Sequence, residues 1–186
     1  MTEILIAVLA LIIVAGVVIY NRLVRSRNRV DTAWSDIDVQ LQRRHDLIPR
    51  LVKAVDQYAS YEKATLEAVT ELRAEAMQQA EIRARGKAEE KLSVGIGRLL
   101  ALAENYPDLK ANENFLDLQN ELVETENYLQ FARRYYNGSV RDYNTMTESV
   151  PSNIVAGMFG FAARDFFQKS SDEAANVPLA RFGAVE

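Results

Sequence analysis

From residue 4 to residue 20 the chain reads Ile-Leu-Ile-Ala-Val-Leu-Ala-Leu-Ile-Ile-Val-Ala-Gly-Val-Val-Ile-Tyr, without one charged side chain. At 1.5 Å of rise per residue such a helix covers roughly 25 Å, close to the thickness of a bilayer's hydrocarbon core. A cleavable signal peptide would need a basic stretch before the run and a small-residue cleavage site, whereas this chain starts Met1-Thr2-Glu3 and its basic residues follow the run. A buried core helix would show a polar face, and none interrupts it. The expectation is a retained transmembrane anchor, with Ile4 at its start, Leu11 at its middle and Tyr20 as an interfacial aromatic. The run holds no small-xxx-small pattern, so strong pairing within the membrane is not indicated.

Arg22, Arg25, Arg27 and Arg29 come directly after it. By the positive-inside rule they place the short N-terminus outside and the bulk of the chain in the cytoplasm of a bacterial cell, at the inner membrane. They are also candidates for anionic lipid headgroups. Residues 1–29, with one Glu and four Arg, sum to +3, which leaves −7 of the net −4 on residues 30–186. An acidic body lacks the clustered basic face that nucleic acid requires.

Length and composition bound the rest of the chain. With 186 residues there is room for one domain beyond the anchor, and 8 Gly with 4 Pro leave few turns, so long helices are expected. Phe115, Leu118, Leu122, Thr125, Leu129, Ala132, Tyr136, Val140, Tyr143, Met146 and Val150 recur at spacings of three and four. They predict a long amphipathic helix between the break at Asn105-Tyr106-Pro107-Asp108 and Pro151. An earlier stripe, Val30, Trp34, Ile37, Leu41, Ile48, Val52, Val55, Tyr58, Leu66, Val69 and Leu72, predicts a helix running to about Arg85. Gly86 reads as its C-terminus, with Arg83 and Arg85 near the negative end of the dipole. A shorter helix is predicted over 87–105 and a Phe-rich one over 152–168, and no stretch alternates as a strand would. The fold expected is all-α: an N-terminal transmembrane helix followed by an elongated up-and-down four-helix bundle. The expected boundaries are 1–29 for the anchor, 30–168 for the bundle and 169–186 for a tail.

Helix lengths sharpen this. The third helix, about 57 Å, is far longer than the second, about 27 Å. With an extended link it is expected to climb beside residues 50–85. That would leave residues 30–49 a stalk on which Trp34, Ile37, Val39 and Leu41 are wet unless neighbouring copies or partners cover them.

The densest charge cluster is Arg43-Arg44-His45-Asp46-Leu47-Ile48-Pro49, inside a helical pattern. Pro49 removes a backbone donor and crowds the carbonyl of His45, so a kink is expected, and a kink is a candidate hinge. The plain alternative is a bundle helix whose charges are satisfied by partners. His45 is the only histidine and there is no cysteine, which rules out His–metal pairs, thiolate zinc and disulfides. Glu104, Glu113, Glu121 and Glu126 read as a solvated face with Lys110, Arg133 and Arg134. No phosphate loop, glycine fingerprint or nucleophile elbow is present, so no catalytic, cofactor or metal residue is expected.

As a set, these segments resemble the LemA family: Tyr20-Asn21-Arg22-Leu23-Val24, then residues 28–41 around Asp31-Thr32-Ala33-Trp34, then the 43–49 cluster with Leu51-Val52. Further on come residues 102–112, reading Leu-Ala-Glu-Asn-Tyr-Pro-Asp-Leu-Lys-Ala-Asn, then Phe115, Leu118-Gln119, Leu122, Thr125-Glu126-Asn127, residues 132–137, Tyr143-Asn144 and Pro151-Ser152-Asn153. The resemblance spans nearly the whole chain. It implies a membrane-anchored bacterial protein with a helical bundle inside, and it implies no reaction. Arg50 departs from it, since relatives often carry Asn after the proline.

The function expected is a non-enzymatic scaffold or adaptor that self-associates and organises protein partners. The residues expected to carry contacts are Trp34, Ile37, Leu41, Arg43, Arg44, Asp46, Phe159, Phe161 and Phe166, with Tyr135, Tyr136 and Tyr143 as an aromatic stripe. Neither nucleic acid nor a small-molecule substrate is expected. The alternative is a regulatory module for a membrane protease or signalling enzyme, with Pro49 as the switch. Catalysis at residues 43–46 is the least supported reading, because it would need a cleft.

Overall fold

The computed structural model of the chain describes residues 1–167; the tail expected over 169–186 lies outside them. The fold is all-α. The described residues form α1 (Thr2–Asp56), α2 (Lys63–Gln78), α3 (Ile82–Ala103), α4 (Pro107–Lys110), α5 (Glu113–Glu148) and α6 (Ser152–Met158), six helices in place of the anchor and four expected. The apolar run is not a separate element. It is the first third of α1, exposed along its length, and makes α1 long and apolar enough to cross a membrane.

The stripe read as one helix from 30 to 85 is two helices and part of a third. α1 stops at Asp56, where the amides of Tyr58 and Ala59 both donate to the carbonyl of Val55 at 3.0 and 2.9 Å. Ala59 is fully buried in this turn and Tyr61 stands in solvent. The next break falls at Gln79-Ala80-Glu81, whose backbone is extended on both sides. Gly86 therefore caps nothing. It lies buried within α3 with helical backbone, Gly160 being the one glycine of positive φ among the described residues.

The long α5 keeps its expected limits. Asn112 caps it by accepting from the amide of Phe115 at 3.1 Å, and it ends three residues before Pro151. Its direction is the surprise. Asn112 Nδ2 donates to Tyr58 Oη at 3.1 Å, so α5 begins beside the far end of α1 and descends along it, the most extensive helix pairing in the molecule. The stalk is consequently covered by its own chain: Ile37 and Leu41 are fully buried, Trp34 is partly buried, and only Val39 of the four stays wet. Self-association is not required to cover them.

Two apolar clusters result, stacked along α1 and α5. The distal one joins Ile48, Leu51 and Val55 of α1 to Leu66 and Val69 of α2, Leu92 and Leu99 of α3, and Phe115 and Leu122 of α5. The proximal one joins Leu23, Val30, Ile37 and Leu41 to Leu129, Tyr136, Val140 and Tyr143. Each such side chain stabilises the fold by about 1.5–3 kcal/mol on burial. The last helix is shorter than expected. It ends at Met158, and beyond Gly160, whose φ of +70° turns the chain, residues 161–167 run non-helically up the seam between α1 and α5.

Candidate functional site

Between the two clusters lies a buried ionic node. Arg44 and His45 stand one turn above Leu41, and both are almost wholly buried, as is Glu89 on α3. Arg44 Nη1 meets Glu89 Oε2 at 3.2 Å, and Arg44 Nη2 donates to Ser93 Oγ at 2.6 Å and approaches Glu126 Oε2 at 3.6 Å. His45 Nε2 lies 2.7 Å from Glu89 Oε1. The plain reading of the 43–49 cluster, charges satisfied by partners, holds for the two terminal nitrogens of Arg44, while its Nε is buried without a hydrogen-bond partner among the described residues. Arg43 and Asp46 point to solvent, Asp46 accepting from Gln42 at 2.9 Å.

Pro49 has the consequence that backbone chemistry demands. α1 continues through it, but the carbonyl of His45 has lost its donor, and Arg73 Nε from α2 replaces that donor at 2.7 Å. The helix is thus clamped at its weak point by a side chain from its neighbour.

The proximal half holds a second construction, a seam in which α5 side chains read the backbone of residues 161–167. Tyr143 Oη donates to the carbonyl of Ala162 at 3.0 Å, and Tyr136 Oη to that of Asp165 at 2.8 Å. Asn144 donates to the carbonyl of Arg164 and accepts from its amide, both at 2.9 Å; Asn137 does the same for Phe167 at 3.0 and 2.9 Å. Two Tyr-Asn pairs seven residues apart, hence on one helix face, therefore imitate the edge of a sheet. Burial pushes the Tyr136 hydroxyl up to about 12 and raises that of Tyr143. Phe167 closes the seam, its ring 5.7 Å from Trp34 and 5.1 Å beneath the Arg133 guanidinium. Desolvation lowers the Arg133 pKa. Asp31 and Asp165 add ion pairs to Arg164, at 3.1 Å, and to Arg83.

Of the residues expected to meet partners, Trp34, Ile37, Leu41, Arg44, Phe161 and Phe166 pack inside this chain instead. So do Tyr136 and Tyr143 of the aromatic stripe, while Tyr135 is exposed. Phe159 remains 60% exposed at the foot of the domain. Ile4, Leu11 and Tyr20 lie on the bare part of α1, and Arg22, Arg25, Arg27 and Arg29 are all exposed just beyond it. Sequence reading missed Glu89, Ser93 and Arg73, which no local pattern marks. It also missed the role of the Tyr-Asn repeat, which its spacing of seven could have shown. It missed one surface too: Tyr128, Phe131 and Tyr135, at helical spacing on the outer face of α5, are 49%, 63% and 53% exposed, with the Arg134 guanidinium 4.7 Å over Phe131. Among the described residues no three His, Asp or Glu side chains are placed to hold a metal ion.

Fold and site define a class: an all-α protein whose apolar N-terminal helix runs unbroken into a helical domain, its interior charges consumed by packing and its side chains spent on holding chain to chain. The chain belongs to the LemA family, whose profile matches residues 33–182. It is similar to the magnetosome protein MamQ 2 of Paramagnetospirillum magneticum, 25% identical over 81% of this chain and 65% of the relative. It also resembles MamQ of Magnetospirillum gryphiswaldense, 23% identical with the same coverage, and protein LemA of Metamycoplasma hominis, 26% identical over 84% of this chain and 72% of that one. The chain thus spans just under two thirds of the magnetosome relatives' length.

Proposed function

We propose that this protein is a non-enzymatic, membrane-anchored adaptor. Residues 4–20 cross the bacterial inner membrane once, the four longer helices α1, α2, α3 and α5 form an up-and-down bundle on the cytoplasmic side, and the outer face of α5 receives a protein partner. The apolar length of α1 supports the span, and the four arginines after it support the orientation. The observation that carries the partner is the stripe Tyr128, Phe131 and Tyr135. Three large aromatics stand exposed on a helix whose other face is fully committed, and such residues offer wide contact area with little rotamer entropy to lose. Trp34 lies 14 residues past Tyr20, roughly 21 Å above the apolar run, and its ring is 5.5 Å from that of Tyr136; the stripe beside it is therefore clear of the lipid. The LemA family match and relatives named as magnetosome proteins support a membrane-associated protein.

The test is a photoreactive residue at position 131 of the full-length protein in cells, with position 77 on α2 as control. The reading expects one dominant crosslinked protein at 131, absent at 77 and lost with Tyr128→Ser and Tyr135→Ser. A membrane protease or signalling enzyme in that band would make the adaptor a regulator, and a self-product would make the partner a second copy. Equal products at 131 and 77 would refute the assignment of this face.

A further inference from the structure

Where α6 sits relative to α1 has a consequence for the membrane itself. α6 lies beside the end of the apolar run of α1, and its Val155 and Ala156 join the cluster that holds Ile19, Leu23 and Val24. An open cleft of about 730 Å³ separates the two helices, walled by Ile12, Gly16, Ile19 and Tyr20 of α1 and by Val155 and Phe159 at the other side. Apart from the Tyr20 hydroxyl its lining is apolar throughout. Ile12 lies eight residues before Tyr20, about 12 Å down the helix axis, which is most of the thickness of one leaflet's hydrocarbon.

The chain around α6 is composed for that depth. Residues 149–163, between Glu148 and Arg164, contain no charged side chain. Val150, Ile154, Met158 and Phe159 turn outward and are 79%, 61%, 75% and 60% exposed, a patch that water would disfavour and acyl chains would cover. Ser149 Oγ donates to the carbonyl of Thr145 at 2.7 Å and Ser152 Oγ to that of Ser149 at 2.9 Å, so both hydroxyls are satisfied by backbone, while Asn153 Oδ1 is buried without a hydrogen-bond partner among the described residues. The layer above changes abruptly. Tyr20 meets Phe159 edge-on at 4.8 Å, the Arg27 guanidinium stands 5.3 Å over Phe161, and Arg22, Arg25 and Arg29 project to solvent, cations of the kind that attract anionic headgroups.

We infer that α6 is a second membrane element: a short re-entrant helix sunk in the leaflet next to the domain, its outer face and the cleft beside α1 occupied by the acyl chains of bilayer phospholipids. This rests on the reading of residues 4–20 as a span. A single helix would let the domain swivel about its anchor, and α6 fixes its tilt and rotation by a second point of support. The bound chemistry is hydrocarbon beneath phosphate, with no selectivity among headgroups beyond their negative charge.

The chain has no cysteine, so single cysteines can be placed cleanly at exposed positions 11, 154, 158 and 98 of the full-length protein, the last an aqueous control on α3. Spin labels at these sites, in nanodiscs of phosphatidylcholine and phosphatidylglycerol, are probed by collision with oxygen, which partitions into lipid, and with a nickel chelate, which does not. The inference expects 154 and 158 to match 11, with oxygen collisions severalfold above those at 98 and nickel collisions severalfold below. Labels at 154 and 158 that match 98 while 11 stays lipid-like would overturn it and leave the span intact. A water-like label at 11 would overturn span and inference together.

Discussion

At the scale of single residues, Glu89 is held by Arg44 and His45 with no surface of its own in water. Removing one partner of a buried ion pair strands the other, so Glu89→Ala should lower stability by about 3–5 kcal/mol in chemical denaturation followed by Trp34 fluorescence. Replacing Glu89, Arg44 and His45 together by apolar residues of similar volume should recover most of that loss, since the stranded charge rather than the lost pair is the cost. The clamp at Pro49 allows a stricter test. Arg73→Ala leaves the carbonyl of His45 without a donor and should cost about 1–3 kcal/mol. Pro49→Ala returns an amide to α1, so in that background the same Arg73→Ala should cost clearly less, and a double-mutant cycle by urea denaturation measures the difference. Additive losses would mean that the contact satisfies nothing.

At the scale of elements, the hydrogen bonds of the Tyr-Asn repeat go only to the backbone of residues 161–167, beside the packing of Phe161 and Phe167, and each can be removed separately. Asn144→Ala or Asn137→Ala each delete two hydrogen bonds. The amide of Arg164 in the first variant and of Phe167 in the second should lose hydrogen-exchange protection about tenfold or more, while amides of α2 and α3 keep theirs. Gly97 tests a different quantity. It sits exposed within α3 and an added Cβ would touch nothing within 4 Å, so Gly97→Ala should stabilise the helix by about 0.5–1 kcal/mol in thermal melts. These elements were unequally legible in the sequence. α5 could be bounded because the break at Asn105-Tyr106-Pro107-Asp108 and Pro151 mark its two ends. The turn at 57–62 and the break at 79–81 contain neither glycine nor proline, so the stripe ran on through both and Gly86 drew a boundary that belongs at Gln79. From that error came the wrong direction for the long helix and the uncovered stalk. Residues 161–167 read as helix because their phenylalanines are dense, and nothing local announces that Gly160 turns the chain back along α5. The charge cluster at 43–49 was visible, but its partner Glu89 is not, since long-range pairing leaves no spacing to read.

At the scale of the whole molecule, the node of Arg44, His45, Glu89 and Ser93 is a polar layer between two apolar clusters, and the clusters differ in what closes them. The distal one is built from α1 to α5 and the turn at Ala59. The proximal one depends on residues 161–167, held partly through the hydroxyl of Tyr136, whose pKa burial pushes up to about 12. A phenol raised in the folded state above its ordinary value near 10 stabilises the fold fully below pH 10 and loses that contribution as pH climbs from about 10 to about 12. The loss falls on the proximal cluster first, because ionised Tyr136 can no longer donate to the carbonyl of Asp165. Trp34, the sole tryptophan, lies 5.5 Å from Tyr136 and 5.7 Å from Phe167 and reports on that seam directly. Its emission should shift to the red between about pH 10 and about pH 12 while far-ultraviolet circular dichroism still records most of the helix. Tyr136→Phe, which cannot ionise, should weaken the seam modestly at neutral pH and remove most of the alkaline step. If the step survives in that variant unchanged, the seam is held by something other than this hydroxyl, and the proximal cluster does not open ahead of the distal one.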